Sequence, residues 1–157
     1  MAPAERNESN ARGAADGLPL RAFLTYELLK LTNRLNRQAA AILRKNGGIR
    51  LPEWRCLTFV GEYGEISPRD IHALTEMDPA LITRTIQALV KRGLVSLEKD
   101  GADRRLINLR LTPAGLQTYR RLRPIMQARQ LRLLDALTAE EQVALFSALR
   151  KVRDAVD

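Results

Sequence analysis

Few side chains in this 157-residue chain can do chemistry, and most of those cannot do it together. Cys56 is the single cysteine and His72 the single histidine. A multi-histidine metal site within one chain is therefore excluded, and no acidic cluster at ligand spacing replaces it. Neither a Ser/His/Asp nor a Cys/His set is complete enough for nucleophilic catalysis, so the chain is read as a non-enzyme without cofactor or metal. The residues that do form a coherent chemical set are Ala80, Thr83, Arg84, Gln87 and Lys91. Steps of three and four put them on one side of a helix, and Ile82, Ile86 and Leu89 fall on the other. That side is small, polar and cationic. Small residues permit close approach, an arginine forks onto guanine, and threonine and glutamine donate to phosphate or base edges in a major groove. An ordinary amphipathic helix facing water carries the same pattern, so the neighbouring elements have to decide.

Those elements begin at Ser67. Ser67-Pro68, with Asp70 in the first turn, is an N-cap, a proline at the first helical position and a carboxylate near the positive end of the helix dipole. Asp78-Pro79 repeats the cap-then-proline signal soon afterwards, so two helices meet across a turn of about three residues, as in a helix-turn-helix. Ser67 and Arg69, at the start of the first helix, join the candidate DNA contacts. After Gly93 the period changes from helical to alternating. Leu94 to Lys99 and Leu106 to Leu111 read as two strands, with Val95 and Leu97 facing Ile107, Leu109 and Leu111. Asp100 to Arg105 joins them as a hairpin, and a ribbon directly behind a helix-turn-helix is a wing.

The rest of the chain frames this unit. Met1 to about Gly17 offers no periodic apolar face and is expected to be a disordered tail. Leu18 to Asn46 is expected to be one long helix with two apolar stripes, which needs partners on more than one side. Leu51 to Tyr63 forms a helix opened by Pro52 and closed by Gly64. Thr112-Pro113 opens another that runs to about Leu137, with a bend expected at Pro124. Thr138 to Glu141 is a capping box that starts the last helix, with Val143, Phe146, Leu149, Val152 and Val156 on one stripe. Ile66 can add a very short strand. The fold class is mainly α with a small β-wing: a winged helix-turn-helix lobe over 51–112, with N- and C-terminal dimerisation helices over 18–50 and 113–157.

Composition narrows the partner. Hydrophobic residues make up 45% and aromatics only 4%, which suits Leu- and Ala-rich helices. Lys plus Arg number 26 against 18 Asp plus Glu, and the net charge of +8 points to a polyanion. Nucleic acid is the first candidate. A membrane surface is the second, but the basic residues are interspersed with acids and no exposed aromatic face accompanies them. A single cysteine suggests a reducing compartment, and no apolar run approaches ~20 residues, so a cytoplasmic, soluble protein is expected.

Three segments, in order and at matching spacing, resemble the MarR family of bacterial transcriptional regulators. They are Leu89-Val90-Lys91-Arg92-Gly93-Leu94-Val95, Asp103-Arg104-Arg105 and Leu111-Thr112-Pro113-Ala114-Gly115. The resemblance implies a homodimer with interlocked terminal helices, a winged helix-turn-helix lobe on each subunit, double-stranded DNA as partner and a small-molecule pocket between lobe and dimer region. It places Thr83 and Arg84 at recognition-helix contact positions and Asp103 and Arg105 in the wing's Asp-x-Arg pattern. Pro79 departs from what an anion site would use, because it removes an N–H from the helix start. Arg104 or Arg105 would enter a minor groove, where narrow A·T tracts concentrate negative potential, and Asp103 would orient an arginine, being repelled by phosphate. With about 6 phosphates neutralised, affinity should fall with salt at a log-log slope of about -0.9 per contact.

Tyr26, Trp54, Arg55 and His72 are the candidates for ligand contacts, since aromatic faces and a cation suit an aromatic carboxylate or its thioester. Within such a family Cys56 could sense peroxide; the competing reading is a buried spacer with no second cysteine to resolve it. Arg120, Arg121, Arg123, Arg129 and Arg132 lie in a stretch without acids; Arg120 and Arg121 are read as solvated, Arg123 and Arg129 as nearer the apolar stripe. A different class, a winged-helix module that binds protein or only dimerises, is set against the DNA reading by that cationic outer face.

Overall fold

The computed structural model describes residues 19–99 and 107–156. The expected tail and the hairpin tip with Asp103, Arg104 and Arg105 lie outside the described residues. A short 3-10 turn, Leu20–Ala22, precedes six helices: α1 (Leu24–Gly47), α2 (Leu51–Tyr63), α3 (Pro68–Thr75), α4 (Pro79–Lys91), α5 (Pro113–Leu134) and α6 (Ala139–Asp154). Strands β1 (Val95–Lys99) and β2 (Ile107–Leu111) stand between α4 and α5. The chain divides into two compact units within α1, one ending at Ala39 and the other running from Ala40.

In the first unit, the helix begins later than the periodicity predicts. Leu20–Ala22 is 3-10 and Phe23 is extended, with φ -73° and ψ 119°, so the α-helical ladder starts only at Leu24. A 3-10 turn spaces side chains much as an α-helix does, which lets an apolar stripe run on through a break in the backbone. Lys30 pairs with Glu27 at 2.7 Å. Leu24, Leu29 and Leu31 are all more than half exposed, at 52%, 56% and 53%.

The second unit holds the core. Leu57, Val60, Ile71, Ile82, Leu89, Leu109 and Leu122, drawn from α2, α3, α4, β2 and α5, are nearly or fully buried in one cluster with Trp54 and Tyr119. Each aliphatic side chain so covered stabilises the lobe by about 1.5–3 kcal/mol. Cap chemistry sets where the lobe helices start. Ser67 Oγ accepts from Asp70 N at 3.1 Å, Asp78 Oδ1 from Leu81 N at 2.8 Å, and Thr112 Oγ1 from Gly115 N at 3.0 Å.

The ribbon is antiparallel, with Val95 opposite Leu111, Leu97 opposite Leu109 and Lys99 opposite Ile107. This is the register that the alternation predicts. Burial is confined to its root: Val95 and Leu109 are covered, whereas Leu97 and Ile107 are about half exposed. Ile66 forms an isolated bridge to Leu109, so a third, one-residue strand does extend the sheet edge. Helix α5 ends at Leu134, short of Leu137, because Gln142 Nε2 reaches back to the carbonyls of both Leu134 and Leu137 and satisfies the helix end. Pro124 sits on an exposed side of α5, which continues through it. Helix α6 has the expected Thr138–Glu141 capping box, yet none of its residues is buried.

A candidate nucleic-acid interface

Helix α4 is fixed in the lobe by one side and open on the other. Ile82, Thr85, Ile86 and Leu89 are buried, while Ala80, Thr83, Arg84, Gln87 and Lys91 are all exposed, as their spacing predicts. Among the described residues no carboxylate is paired with Arg84 or Lys91, so both charges are available to an anion. Thr83 is more constrained than its residue type suggests. Its Oγ1 donates to Pro79 O at 3.0 Å, which commits the hydroxyl proton and leaves the oxygen lone pairs on an exposed residue. Thr83 is therefore set to accept from a base amine or to touch a thymine methyl; it is not set to donate.

The turn between α3 and α4 holds the two helices at a fixed angle. Glu76 closes α3 in the left-handed region with φ 53°. Met77, 7% exposed, plugs the turn from inside. Thr75 Oγ1 donates to Ile71 O at 2.6 Å and accepts from Met77 N at 3.2 Å. His72 Nδ1 donates to Met77 O at 2.8 Å, which in the neutral ring leaves Nε2 as an acceptor. His72 also lines a groove with Pro68, Arg69, Pro79, Ile82 and Thr83. His72, one of the candidate ligand contacts, thus stands beside Arg69 and Thr83 in the groove between α3 and α4. At the start of α3, Arg69 is exposed, whereas the Ser67 hydroxyl is engaged twice, accepting from Asp70 N and donating to Asp70 Oδ2 at 2.7 Å.

Trp54 and Arg55, both on α2, are not among the residues that line this groove. Trp54 is 8% exposed and stacks on Tyr119, with ring centroids 6.0 Å apart. Tyr119 donates to Glu62, which also pairs with Arg123 at 3.1 Å, and burial together with that carboxylate pushes the phenol's pKa up. Arg123 thus braces the core of the lobe through Glu62. Arg55 is half-buried on α2, and Tyr26 lies in the first unit, 38% exposed. Cys56 is fully buried, and desolvation, reinforced by the charge of Glu53, pushes its thiol up to about 11. A covered, protonated thiol is a poor nucleophile toward peroxide, so the buried-spacer reading accounts for it.

Sequence reasoning missed Glu53. It is 1% exposed, yet it accepts from Arg50 N at 2.8 Å, from the Arg50 guanidinium at 2.9 Å and from Arg92 Nη1 at 3.0 Å. Burial raises its carboxyl pKa, but the hydrogen bonds from Arg50 and the charges of Arg50 and Arg92 outweigh this and hold it below the ordinary range. Since Arg92 is the C-cap of α4, the buried carboxylate ties the exit of that helix to the start of α2. A glutamate at the third position of a helix looks like a surface cap residue; only the distant arginine reveals its second role.

Comparison with known proteins fits this geometry. The sequence model of the MarR family matches residues 47–106. The HTH-type transcriptional repressor IacR of Pseudomonas putida is 28% identical over 152 residues, covering 96% of this chain and 89% of that protein. The crystal structure of a complex of Staphylococcus aureus MepR with DNA superposes with a TM-score of 0.78 at 17% identity, over 86% of this chain and 99% of that one. A structure of Bordetella bronchiseptica BpsR, whose DNA binding is regulated by 6-hydroxynicotinic acid, gives 0.74 at 23% identity, over 88% and 98%. The two structural likenesses, at these identities, establish the fold. No helix among the described residues is long and apolar enough to cross a membrane.

Proposed function

We propose that the chain is a winged helix-turn-helix transcriptional regulator of the MarR family, a homodimeric repressor that reads a pseudo-palindromic operator. The observation that carries the reading is the outward face of α4, where Arg84, Gln87 and Lys91 stand exposed on a helix whose opposite side is locked in the core. Thr83 and Ala80 allow that face to approach bases closely, and Arg69 adds a cation at the start of α3. The exposed apolar stripes on α1 and α6 support pairing of two copies, because an isolated chain gains nothing from presenting them to water. Two lobes related by a two-fold axis would meet half-sites whose centres lie about 34–36 Å apart. In this reading Arg104 or Arg105 enters the flanking minor groove and Asp103 orients an arginine.

The effector we propose is a small aromatic carboxylate or its acyl thioester. BpsR, whose DNA binding is regulated by 6-hydroxynicotinic acid, supports that class, and Trp54 on α2 supplies an aromatic ring for it. Engaging Trp54 requires its stack on Tyr119 to open, which couples a ligand there to the packing of α2 on α5. His72, in its groove beside Arg69, is assigned to the duplex side instead.

Selection from a randomised duplex library tests the proposal. The purified protein should enrich an inverted repeat with the spacing above, and retardation of the selected duplex should be relieved by members of a panel of aromatic acids. Enrichment of an unpaired half-site, or of nothing in low salt, would overturn the dimeric DNA-binding reading. Enrichment without relief by any such acid would overturn only the effector class.

A further inference from the structure

The root of the wing is held by a cluster of charged residues that the reading of α4 does not use. Glu65, in the connector between α2 and α3, accepts from Asn108 Nδ2 at 2.8 Å and pairs with the Arg110 guanidinium. Arg110 Nε pairs in turn with Glu98 at 2.9 Å. Asn108 and Arg110 lie on β2 and Glu98 on β1, so a single carboxylate outside the ribbon reaches both strands, directly to one and through Arg110 to the other. The next residue, Ile66, makes the isolated bridge to Leu109, with backbone hydrogen bonds of 3.3 and 2.9 Å. The connector is thus attached to the ribbon by backbone and side chain at the same level.

Next to this root Leu97 and Ile107 are 49% and 46% exposed, so their apolar packing contributes little to holding the ribbon. Lys99 and Ile107 are the last described pair, two residues beyond Leu97 and Leu109, so the angle fixed at the root is the angle at which the two strands leave the lobe. We propose that Glu65 is a positioning residue for DNA recognition: its clamp on Asn108 and Arg110 sets the angle of the wing and thereby the sequence preference at the minor grooves flanking each half-site. The inference rests on the DNA-binding reading above. Two features separate it from a merely structural role. The clamp is partly solvated, with side-chain exposures of 34% for Glu65 and 50% for Arg110, and exposed ion pairs add little to fold stability. It also uses up the charge of Arg110, which two carboxylates flank, so that arginine steadies the wing and does not serve phosphate.

The test compares base preferences of the unsubstituted protein, Glu65→Ala and Glu65→Gln on duplexes from the randomised library, with thermal melting measured in parallel. Glu65→Ala should melt with the parent protein and keep its preference at the central major-groove positions. Its preference for A·T over G·C at the flanking positions should fall from about tenfold to near unity. Glu65→Gln, which keeps the length and the hydrogen bond to Asn108, should fall between. The double variant Glu65→Ala/Arg110→Ala should lose no more flank preference than Glu65→Ala. Retained flank preference in Glu65→Ala overturns the inference alone, as does an equal loss at central and flanking positions that tracks a lowered melting temperature. If Glu65→Ala fails to fold, the same readings on Glu65→Gln decide. No enrichment by the parent protein overturns the DNA-binding reading and this inference with it.

Discussion

Replacing Gly115 with alanine is expected to destabilise the protein by about 3 kcal/mol or more, through a clash that no rotamer can relieve. A Cβ at this position would lie 1.8 Å from the carbonyl oxygen of Leu94 and 2.9 Å from its carbon. The obstacle is backbone, and it is held in place. Leu94 O accepts from Thr112 N at 3.2 Å, Thr112 Oγ1 donates to Gly93 O at 2.6 Å, and the same hydroxyl caps α5 by accepting from Gly115 N. Making room for a methyl group means lifting α5 off the chain that feeds β1, and with it Tyr119 and Leu122, both buried in the core. Urea denaturation of Gly115→Ala should show the loss as a lowered midpoint; a cost below about 1 kcal/mol would mean that α5 is not seated on Leu94 as described. Thr112 and Gly115 of the Leu-Thr-Pro-Ala-Gly stretch that marks the family resemblance are thus accounted for by contact distances at this junction.

The second large effect concerns pairing of chains. Val143, Phe146 and Leu149 of α6, and Val156 just beyond its end, are 70%, 45%, 41% and 78% exposed, a run of apolar side chains without cover in a single chain. Phe146→Asp combined with Leu149→Asp should give a monomer by light scattering, with helix content by circular dichroism close to the parent's. Because two linked half-site contacts gain about 10²–10⁴ in apparent affinity over one, the monomer should bind the selected inverted repeat at least about a hundredfold more weakly. A variant that remains dimeric would assign the interface elsewhere. A monomer that keeps full affinity would show that the two half-sites are not read together.

Much of this was legible in the chain because the signals are local. Ser67, Asp78, Thr112 and Thr138 each cap the helix that their spacing announces, and all four caps are made. The outward and inward sides of α4 follow from a 3.6-residue period, and the ribbon register follows from a two-residue one. What escaped depends on partners far apart in sequence. Glu53 reads as a surface residue until Arg92 arrives from the end of α4, and Glu65 reads as a loop acid until Asn108 and Arg110 meet it. The hydrogen bond of His72 to Met77 O and its place in the α3–α4 groove likewise depend on the turn that brings the two helices together. The late start of α1 escaped because apolar spacing is nearly the same on either side of the extended Phe23.

The central claim is that the exposed side of α4 reads base pairs, and Arg84→Ala tests it most directly. Arg84 is exposed, so the substitution should leave the melting temperature within experimental error. In a gel-shift titration on the selected duplex at fixed salt, the variant should bind about 1–3 kcal/mol more weakly and lose discrimination at one base pair in each half-site. Binding to a scrambled duplex should change little by comparison. Unaltered affinity and unaltered base preference in a folded, dimeric Arg84→Ala protein would contradict the account.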